Sequence, residues 1–320
     1  MKNMKNIIQT IKKNKSFLIS THVNPDPDAL CSQLAIAAYL RSLGKKILII
    51  NHEPLPSRFH FFPGIRSIRA YREGSKVNYD VAIVVDCGDL NRIGDVKKLI
   101  QKNKILINID HHVTNDSFGS LNLIKPKASS TAEVLYEFFL KGKYRLTNNV
   151  ALCLYAGIMT DTGAFRYENT SSRTHAIAGE LIKFKFSPVD LYRRIYETIS
   201  FKDLKEFTKV ISCFDVLFSG QVTCVELKKK TLSKFSDAFD LRDAIFKFLR
   251  SIKDVEVFVI FTEVGRGETR VNFRSSQRIN VAKLADHFGG GGHRRASGCM
   301  LEKNILEARK EVLKEIKRVL

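Results

Sequence analysis

The sequence has no apolar run near the roughly 20 residues that a membrane-spanning helix needs. Its first residues are followed by neither a long apolar segment nor a small-residue cleavage site, so we expect no secretory signal. Internal repeats and low-complexity linkers are also absent. Hydrophobic residues make up 44% and charged residues 27% of the 320 positions, which excludes wholesale disorder. We therefore expect a folded, cytoplasmic, two-domain protein with no membrane partner.

Paired cysteine motifs are lacking too. The six cysteines form no Cys-x-x-Cys pair, and they stand in apolar segments such as the one around Cys153. This pattern argues against a disulfide framework and against a structural zinc site. It favours buried, reduced thiols.

Acidic residues are few, because 33 Asp and Glu oppose 53 Lys and Arg and leave a net charge of +20. Such a surplus favours acidic partners, above all nucleic acid or nucleotide phosphates. A lysine-rich composition without any binding role would explain it equally well. The chain has no Gly-x-x-x-x-Gly-Lys-Ser loop, so a P-loop nucleotide triphosphatase is not supported.

The first half alternates apolar runs with helical patterns. The runs cover residues 16–21, 46–51, 80–86 and 104–110, and the helical patterns cover 29–43, 129–141, 147–160 and 172–184. Continuous apolar runs are typical of strands that are buried on both faces of a parallel sheet. We therefore predict a doubly wound α/β domain over residues 1–186.

A different pattern begins near residue 187, where Ser187 and Pro188 form a typical helix start. We predict a helical linker over 187–210 and a smaller domain over 211–320. In that domain the sequence predicts a hairpin over 211–227, a helix over 237–250, strands over 255–261 and 269–274, and a final helix from about 303.

Carboxylates and histidines cluster where the predicted strands end. The first strand leads into His22, Asp26 and Asp28, the third ends at Asp86, the fourth ends at Asp110, His111 and His112, and a helix ends near Asp161. Ligands of open α/β sheets bind outside the carboxyl ends of the strands, so we expect these side chains to converge. Each segment alone would be explained as a turn, a helix cap or a core histidine, but four segments at one edge favour a shared site.

So many carboxylates cannot share a pocket without a compensating charge, because repulsion and burial both disfavour their ionised forms. A cation cluster resolves the conflict. Oxygen and imidazole ligands without thiolate favour Mn²⁺, Mg²⁺ or Fe²⁺ over structural zinc. More than one ion is expected, and paired ions are a common device of phosphoryl chemistry.

The same residues resemble the four motifs of the DHH phosphoesterases, with Asp110-His111-His112 as the motif that names the family. Residues 289–293, Gly-Gly-Gly-Gly-His, and 296–298, Ala-Ser-Gly, resemble the DHH-associated C-terminal domain. The resemblance implies a mainly parallel first sheet, and a C-terminal α/β domain with a mixed sheet and a Gly-rich loop. Among family members, the chain is similar to short bacterial proteins that degrade very short RNA oligomers and dephosphorylate 3′-phosphoadenosine 5′-phosphate (pAp).

The resemblance also implies roles. His22 and Asp26 would hold one of two Mn²⁺ ions, with Mg²⁺ or Fe²⁺ as alternatives, and Asp28 and His111 would hold the other. Asp86 would bridge them and Asp161 would complete the cluster. The implied catalytic residues are Asp86, His111, His112 and His293. The implied substrate contacts are Arg274, Ser275, Gly290, Gly291, Gly292, His293, Arg295 and Asn115.

We expect single-stranded RNA or DNA oligomers and nucleotide phosphates as partners, and a monomer or homodimer. A second enzymatic interpretation is a cyclic di-AMP or linear pApA phosphodiesterase. A third is a catalytically idle nucleotide sensor, because Pro27 stands where the family usually has glycine. Cys31 is a further departure from glycine, although it removes no ligand.

Overall fold

The computed structural model describes residues 2–236 and 239–320. It divides into two compact units, one up to Glu197 and one from Thr198. The division falls inside the predicted linker, whose own boundaries stay a prediction. Within the described ranges, no helix has both the length and the apolar character that crossing a bilayer demands.

A six-stranded parallel sheet forms the centre of the first unit, and its strand order is β3-β2-β1-β4-β5-β6. The strands are β1 (Ser16–Ser20), β2 (Lys46–Asn51), β3 (Ile68–Ala70), β4 (Val81–Val85), β5 (Ile105–Asp110) and β6 (Leu121–Ile124). The order reverses between β1 and β4, and this reversal creates a crevice at the carboxyl ends of these strands. The predicted doubly wound parallel sheet is confirmed.

Both faces of this sheet are covered. The helices are α1 (Lys2–Lys13), α2 (Pro27–Ser42), α3 (Thr131–Lys141), α4 (Asn148–Asp161), α5 (Ser172–Leu181) and α6 (Pro188–Tyr196). Phe17 and Ile19 of β1 pack into the core shared with the helices, whereas Leu18 faces a second core beside the 3-10 segment Leu90–Leu99. Successive strand residues point to opposite faces, so both faces need apolar side chains and the run is continuous.

The second unit contains a mixed sheet, as predicted, with the order β11-β12-β10-β9-β8-β7 among its described strands. The strands are β7 (Asp215–Leu217), β8 (Val222–Leu227), β9 (Val257–Gly265), β10 (Glu268–Ser275), β11 (Gly291–His293) and β12 (Ala296–Leu301). The β8–β9 pairing is parallel and the other pairings are antiparallel.

Helices cover this second sheet on both faces. They are α7 (Phe201–Ile211), α8 (Lys229–Leu232), α9 (Leu241–Leu249), α10 (Val281–His287) and α11 (Ile305–Val319). One core joins the sheet to α7 and α9, and the other joins it to α10 and α11. Of the helix predicted over 237–250, residues 237 and 238 lie outside the described residues.

Two details differ from the sequence predictions. The helical stretch from 188 to about 210 is two helices, since Ser200 caps a new helix by accepting a hydrogen bond from the Asp203 amide at 3.0 Å. The glycine-rich segment is partly an edge strand. A Cβ at Gly290 would lie 2.3 Å from the Gly298 carbonyl oxygen, so this close backbone approach requires glycine.

Candidate metal centre

The carboxyl edge of the parallel sheet brings the predicted site residues of the first unit together. His22 and Asp86 follow the central strands β1 and β4, and Asp110 is the last residue of β5. Asp28 lies in the first turn of α2, and Asp161 is the last residue of α4. The crevice where the strand order reverses therefore becomes a strongly charged pocket.

Asp86 lies at the centre of this pocket and is 2% exposed. Its Oδ2 is 3.6 Å from His22 Nε2, and its Oδ1 is 3.7 Å from His111 Nε2. Burial favours the neutral carboxyl group, but the close His22 ring and the nearby histidine charges outweigh it and hold the Asp86 pKa well below its usual range. Asp86 is therefore an ionised carboxylate whose Oδ2 faces His22 and whose Oδ1 faces His111.

Backbone carbonyls fix the ring orientation of two histidines. His22 Nδ1 donates to the Val23 carbonyl at 2.8 Å, and His111 Nδ1 donates to the Ala128 carbonyl at 3.2 Å. A carbonyl only accepts, so each Nδ1 carries a proton, and Nε2 is the ring nitrogen that faces the carboxylates. Both Nε2 atoms lie near Asp86. This arrangement is typical of imidazole metal ligands.

Asp28 is held at the N-terminus of α3. It is 1% exposed, and it accepts hydrogen bonds from the amides of Thr131 at 2.7 Å and Ala132 at 3.0 Å. Burial and the neighbouring carboxylates Asp86 and Asp161 nevertheless raise its pKa well above the usual value. The crowding of carboxylates is therefore only partly compensated by the protein, and a divalent cation would remove the repulsion.

The described residues include two groups of side chains, on the His22 side and on the His111 side of Asp86, that have the spacing of a metal site. One comprises His22, Asp26 and Asp86, the other comprises Asp28, Asp86 and His111, and the ligand atoms of each group lie within 4.8 Å of one another. Asp161 Oδ2 is 3.1 Å from His111 Nε2, beside the second group. The donors are carboxylate oxygens and imidazole nitrogens, so the residues fit divalent cations on both sides of Asp86.

Asp110 and His112 form a third group with Asp86, but their atoms are already engaged. His112 Nδ1 donates to Asp110 Oδ1 at 2.7 Å, and Asn115 Nδ2 donates to Asp110 Oδ2 at 2.6 Å. Asp110 therefore orients His112. Asn115 also donates to Asn108 Oδ1 at 2.8 Å, so its amide lies within this supporting network.

Comparison with known proteins shows the family to which the chain belongs. Residues 16–158 match the DHH family, N-terminal domain, and residues 227–320 match the DHHA1 domain. A Streptococcus mutans protein described as a probable bifunctional oligoribonuclease and PAP phosphatase NrnA is 32% identical over all of both chains. The chain belongs to the DHH family of phosphoesterases. The Bacillus subtilis bifunctional oligoribonuclease and PAP phosphatase NrnA is also 32% identical, over 92% of each chain.

The fold of this DHH family member also has a solved counterpart. The crystal structure of an exopolyphosphatase-related protein from Bacteroides fragilis has a TM-score of 0.88 at 26% identity. The match covers 98% of this chain and 94% of that one. It supports the α/β architecture described above.

One residue of the DHH site was not predicted from the sequence. Thr131 Oγ1 donates to Asp86 Oδ1 at 2.8 Å, and the Thr131 side chain is fully buried. Its only sequence signal is a run of three hydroxyl residues, 129–131, before a helix. That run indicates a helix cap rather than contact with a distant carboxylate.

The departures of this DHH chain from the usual motif fit the structure. Asp26 is the N-cap of α2 and accepts from the Ala29 amide at 3.0 Å, so Pro27 occupies the first helical position, where proline is favoured. The proline therefore does not distort the loop. Cys31 is fully buried, and burial raises its thiol pKa well above the usual value.

In the DHHA1 unit the sheet register aligns two predicted substrate residues. Ala296 of β12 pairs with Arg274 of β10 on one side and with His293 of β11 on the other. Directly paired residues share a face of the sheet, so Arg274 and His293 lie in one row. The guanidinium carbon of Arg274 lies 4.6 Å from the centre of the Phe246 ring, in a cation–π contact.

The other predicted substrate residues of this unit take part in backbone and side-chain contacts near the end of β10. Ser275 Oγ donates to the Ile279 carbonyl at 2.7 Å, and the Ser275 amide donates to the Arg295 carbonyl at 3.1 Å. Gly291 and Gly292 belong to β11. These contacts fold the segment after β10 back onto the sheet beside Arg274.

Proposed function

We propose that the chain hydrolyses very short RNA oligomers to mononucleotides and removes the 3′-phosphate of pAp. The observation that carries the proposal is the sharing of Asp86 by two groups of ligand atoms at the crevice of the parallel sheet. The relatives named as bifunctional oligoribonuclease and PAP phosphatase support the choice of substrates. The positive net charge suits such anionic partners.

In this proposal His22 and Asp26 would hold one divalent cation, Asp28, His111 and Asp161 would hold the other, and Asp86 would serve both. The ions are Mn²⁺, with Mg²⁺ or Fe²⁺ as alternatives. When bound, they supply Lewis acidity toward the phosphate oxygens and lower the pKa of an attacking water. The carboxylates supply negative charge that fixes the cations at the carboxyl edge of β1, β4 and β5.

In this proposal His112 donates a proton, and Asp110 orients the His112 ring. Asp110 holds His112 through Nδ1, which leaves Nε2 as the nitrogen that donates a proton toward the phosphate or the leaving oxygen. The His112 side chain is only 12% exposed, so little water competes for this nitrogen. Asp110 thus acts on catalysis through the orientation of His112.

The DHHA1 unit supplies phosphate contacts in this proposal. Arg274 and His293, aligned by the sheet register, are the main donors to substrate phosphate. The backbone at Gly290, Gly291 and Gly292 and the side chain of Arg295 extend this surface. Ser275 holds the segment after β10. In the first unit, Asn115 holds Asp110. We propose a cytoplasmic location, since all six cysteines are free thiols. We also propose a monomer or homodimer.

The test is a panel of substrates with the purified full chain. Labelled RNA dinucleotide, pAp, pApA and cyclic di-AMP are incubated with Mn²⁺ and the products are separated by chromatography. We expect release of mononucleotides from the dinucleotide and of phosphate from pAp, and loss of both after chelation. Faster turnover of cyclic di-AMP or pApA would replace the proposed substrates, and nucleotide binding without any hydrolysis would establish a sensor.

A further inference from the structure

The N-terminus of α3 contacts both candidate metal groups through one residue. The Thr131 amide donates to Asp28 Oδ2 at 2.7 Å, and the Thr131 hydroxyl donates to Asp86 Oδ1 at 2.8 Å. We propose that Thr131 is a positioning residue whose hydroxyl sets the rotation of the Asp86 carboxylate, so that its two oxygens face the two ligand groups. This inference rests on the proposed pair of cations.

Asp86 needs such a partner because its backbone alone does not define its carboxylate. The Asp86 amide donates to the Ile109 carbonyl at 2.9 Å, and its φ of +53° turns the chain away from β4. These features fix the Cβ position. The final torsion of an aspartate side chain is broad, however, and a carboxylate rotates freely unless a hydrogen bond selects one orientation.

In the observed orientation, the two carboxylate oxygens of Asp86 face different ligand groups. Oδ2 lies 3.6 Å from His22 Nε2, within the first group, and Oδ1 lies 3.7 Å from His111 Nε2, within the second. The Thr131 hydroxyl occupies one lone pair of Oδ1 and leaves the other free for a ligand bond. Rotation of the carboxylate would withdraw both oxygens from their groups at once.

The hydroxyl is itself a fixed donor. Threonine is β-branched and has few side-chain rotamers. Its neighbours lock the helix start, since Ser130 Oγ accepts from the Glu133 amide at 3.1 Å and Ser129 Oγ donates to Glu133 Oε2 at 2.6 Å. Thr174 Oγ1 donates to the same carboxylate oxygen at 3.0 Å. The fixed start of α3 therefore holds the Thr131 hydroxyl in place, and this hydroxyl holds the Asp86 carboxylate.

The test compares Thr131→Val with Thr131→Ser. Valine keeps the shape and the amide to Asp28 but removes the hydroxyl, whereas serine keeps the hydroxyl. Mn²⁺ is titrated into the metal-free full chain by calorimetry. We expect Thr131→Val to weaken Mn²⁺ binding about 10–100-fold, the range typical of lost outer hydrogen bonds at metal sites. Thr131→Ser should stay within a few-fold of the wild type.

Thr269→Val is the matched control. Thr269 is also fully buried, and its hydroxyl donates to the Lys303 carbonyl at 2.8 Å in the other unit. This variant should lose similar stability but bind Mn²⁺ as the wild type does. If Thr131→Val does not melt cooperatively, Thr131→Ala carries the same comparison.

The possible outcomes distinguish a failure of the Thr131 positioning role from a failure of the proposed function. Wild-type affinity in Thr131→Val, or equal losses in Thr131→Val and Thr131→Ser, would overturn the positioning role. A wild type that binds Mn²⁺ yet hydrolyses none of the substrates would overturn the proposed function and leave the Thr131 comparison intact. Weakened binding in Thr131→Val with rescue by serine supports the inference whatever the preferred substrate.

Discussion

His112 donates from Nδ1 to Asp110 Oδ1 at 2.7 Å, while the preceding histidine makes no such bond. His111 uses Nδ1 on the Ala128 carbonyl and directs Nε2 toward Asp86. Two adjacent histidines thus use the same ring nitrogen, Nδ1, on different partners, a backbone carbonyl for His111 and a carboxylate for His112. The order of the motif alone does not reveal this division.

We predict that glutamine substitutions separate the two roles. His111→Gln should lose Mn²⁺ affinity and activity together, because it removes a proposed ligand. His112→Gln should retain Mn²⁺ affinity and lose about 10²–10⁴-fold in kcat, the usual contribution of a proton-transferring residue. Calorimetry and steady-state kinetics measure the two effects. Equal losses of metal affinity in both variants would contradict the assignment.

Asp86→Asn should abolish turnover without unfolding the chain. Asparagine tolerates the left-handed φ of +53° better than other residues and keeps the hydrogen bond from Thr131, so the fold should be retained. Loss of the shared charge removes several kcal/mol of transition-state stabilisation, which corresponds to a decrease of about 10³-fold or more in kcat/KM. Circular dichroism and kinetics check both parts.

The control for this variant is Asp190→Asn, an exposed carboxylate in the first turn of α6. It should change kcat/KM less than twofold. Near-normal turnover in Asp86→Asn would show that the two groups of ligands do not act through a shared carboxylate.

The sequence predicts much of this fold because long apolar runs leave few alternatives. The runs at β1, β2, β4 and β5 are buried on both faces, so each predicts a central strand. The edge strand β3 has only three residues and no apolar pattern, and Leu121–Ile124 is mostly half-buried. Such edges form through pairing with neighbours, which a local pattern does not encode.

The convergence of the candidate site residues in the first unit could be predicted from the sequence for a related reason. Carboxylates and histidines at strand ends can be recognised in the sequence by residue type and position, and the structure brings them together. Thr131 has no titratable group, and the Asp86 contact spans 45 positions of sequence. Its role depends on where α3 packs, which follows from the tertiary fold.

Gly157 allows α4 to pack against the Asp28 side chain. A Cβ at Gly157 would lie 2.4 Å from Asp28 Oδ1 and 2.7 Å from the Ala132 Cβ. Gly157→Ala should therefore displace Asp28, weaken Mn²⁺ binding and destabilise the fold by about 1–3 kcal/mol. Chemical denaturation and metal titration measure the two losses.

Gly179→Ala provides a matched control within α5, because a Cβ there would meet no heavy atom within 4 Å. We expect it to stabilise the chain by about 0.5–1 kcal/mol through helix propensity and to leave Mn²⁺ binding unchanged. A Gly157→Ala variant that resembles Gly179→Ala would contradict the close packing of α4 on Asp28.

Asp80 ties β1 to β4 at the edge of the sheet opposite the site. It accepts from the Lys15 amide at 2.9 Å, the Ser16 amide at 2.8 Å and the Ser16 hydroxyl at 2.9 Å. These hydrogen bonds hold the Asp80 pKa below its usual value of 3.8. The folded state therefore favours the ionised form, and Asp80 contributes stability above the unfolded-state pKa.

We predict that Asp80→Asn costs about 1 kcal/mol at neutral pH, since the half-buried carboxylate loses charge-assisted hydrogen bonds. The difference from the wild type should stay constant down to about pH 5 and shrink as the pH falls through the folded-state pKa below about 4. Urea denaturation at several pH values measures it. Ser16→Ala removes the hydroxyl bond to the carboxylate and the bond that this hydroxyl accepts from the Asp80 amide at 3.1 Å. It should still cost less, because the two amides hold the carboxylate and the Asp80 amide keeps its bond to the Ser16 carbonyl. A difference between Asp80→Asn and the wild type that persists unchanged to pH 2 would mean that the native hydrogen bonds do not favour the ionised carboxylate.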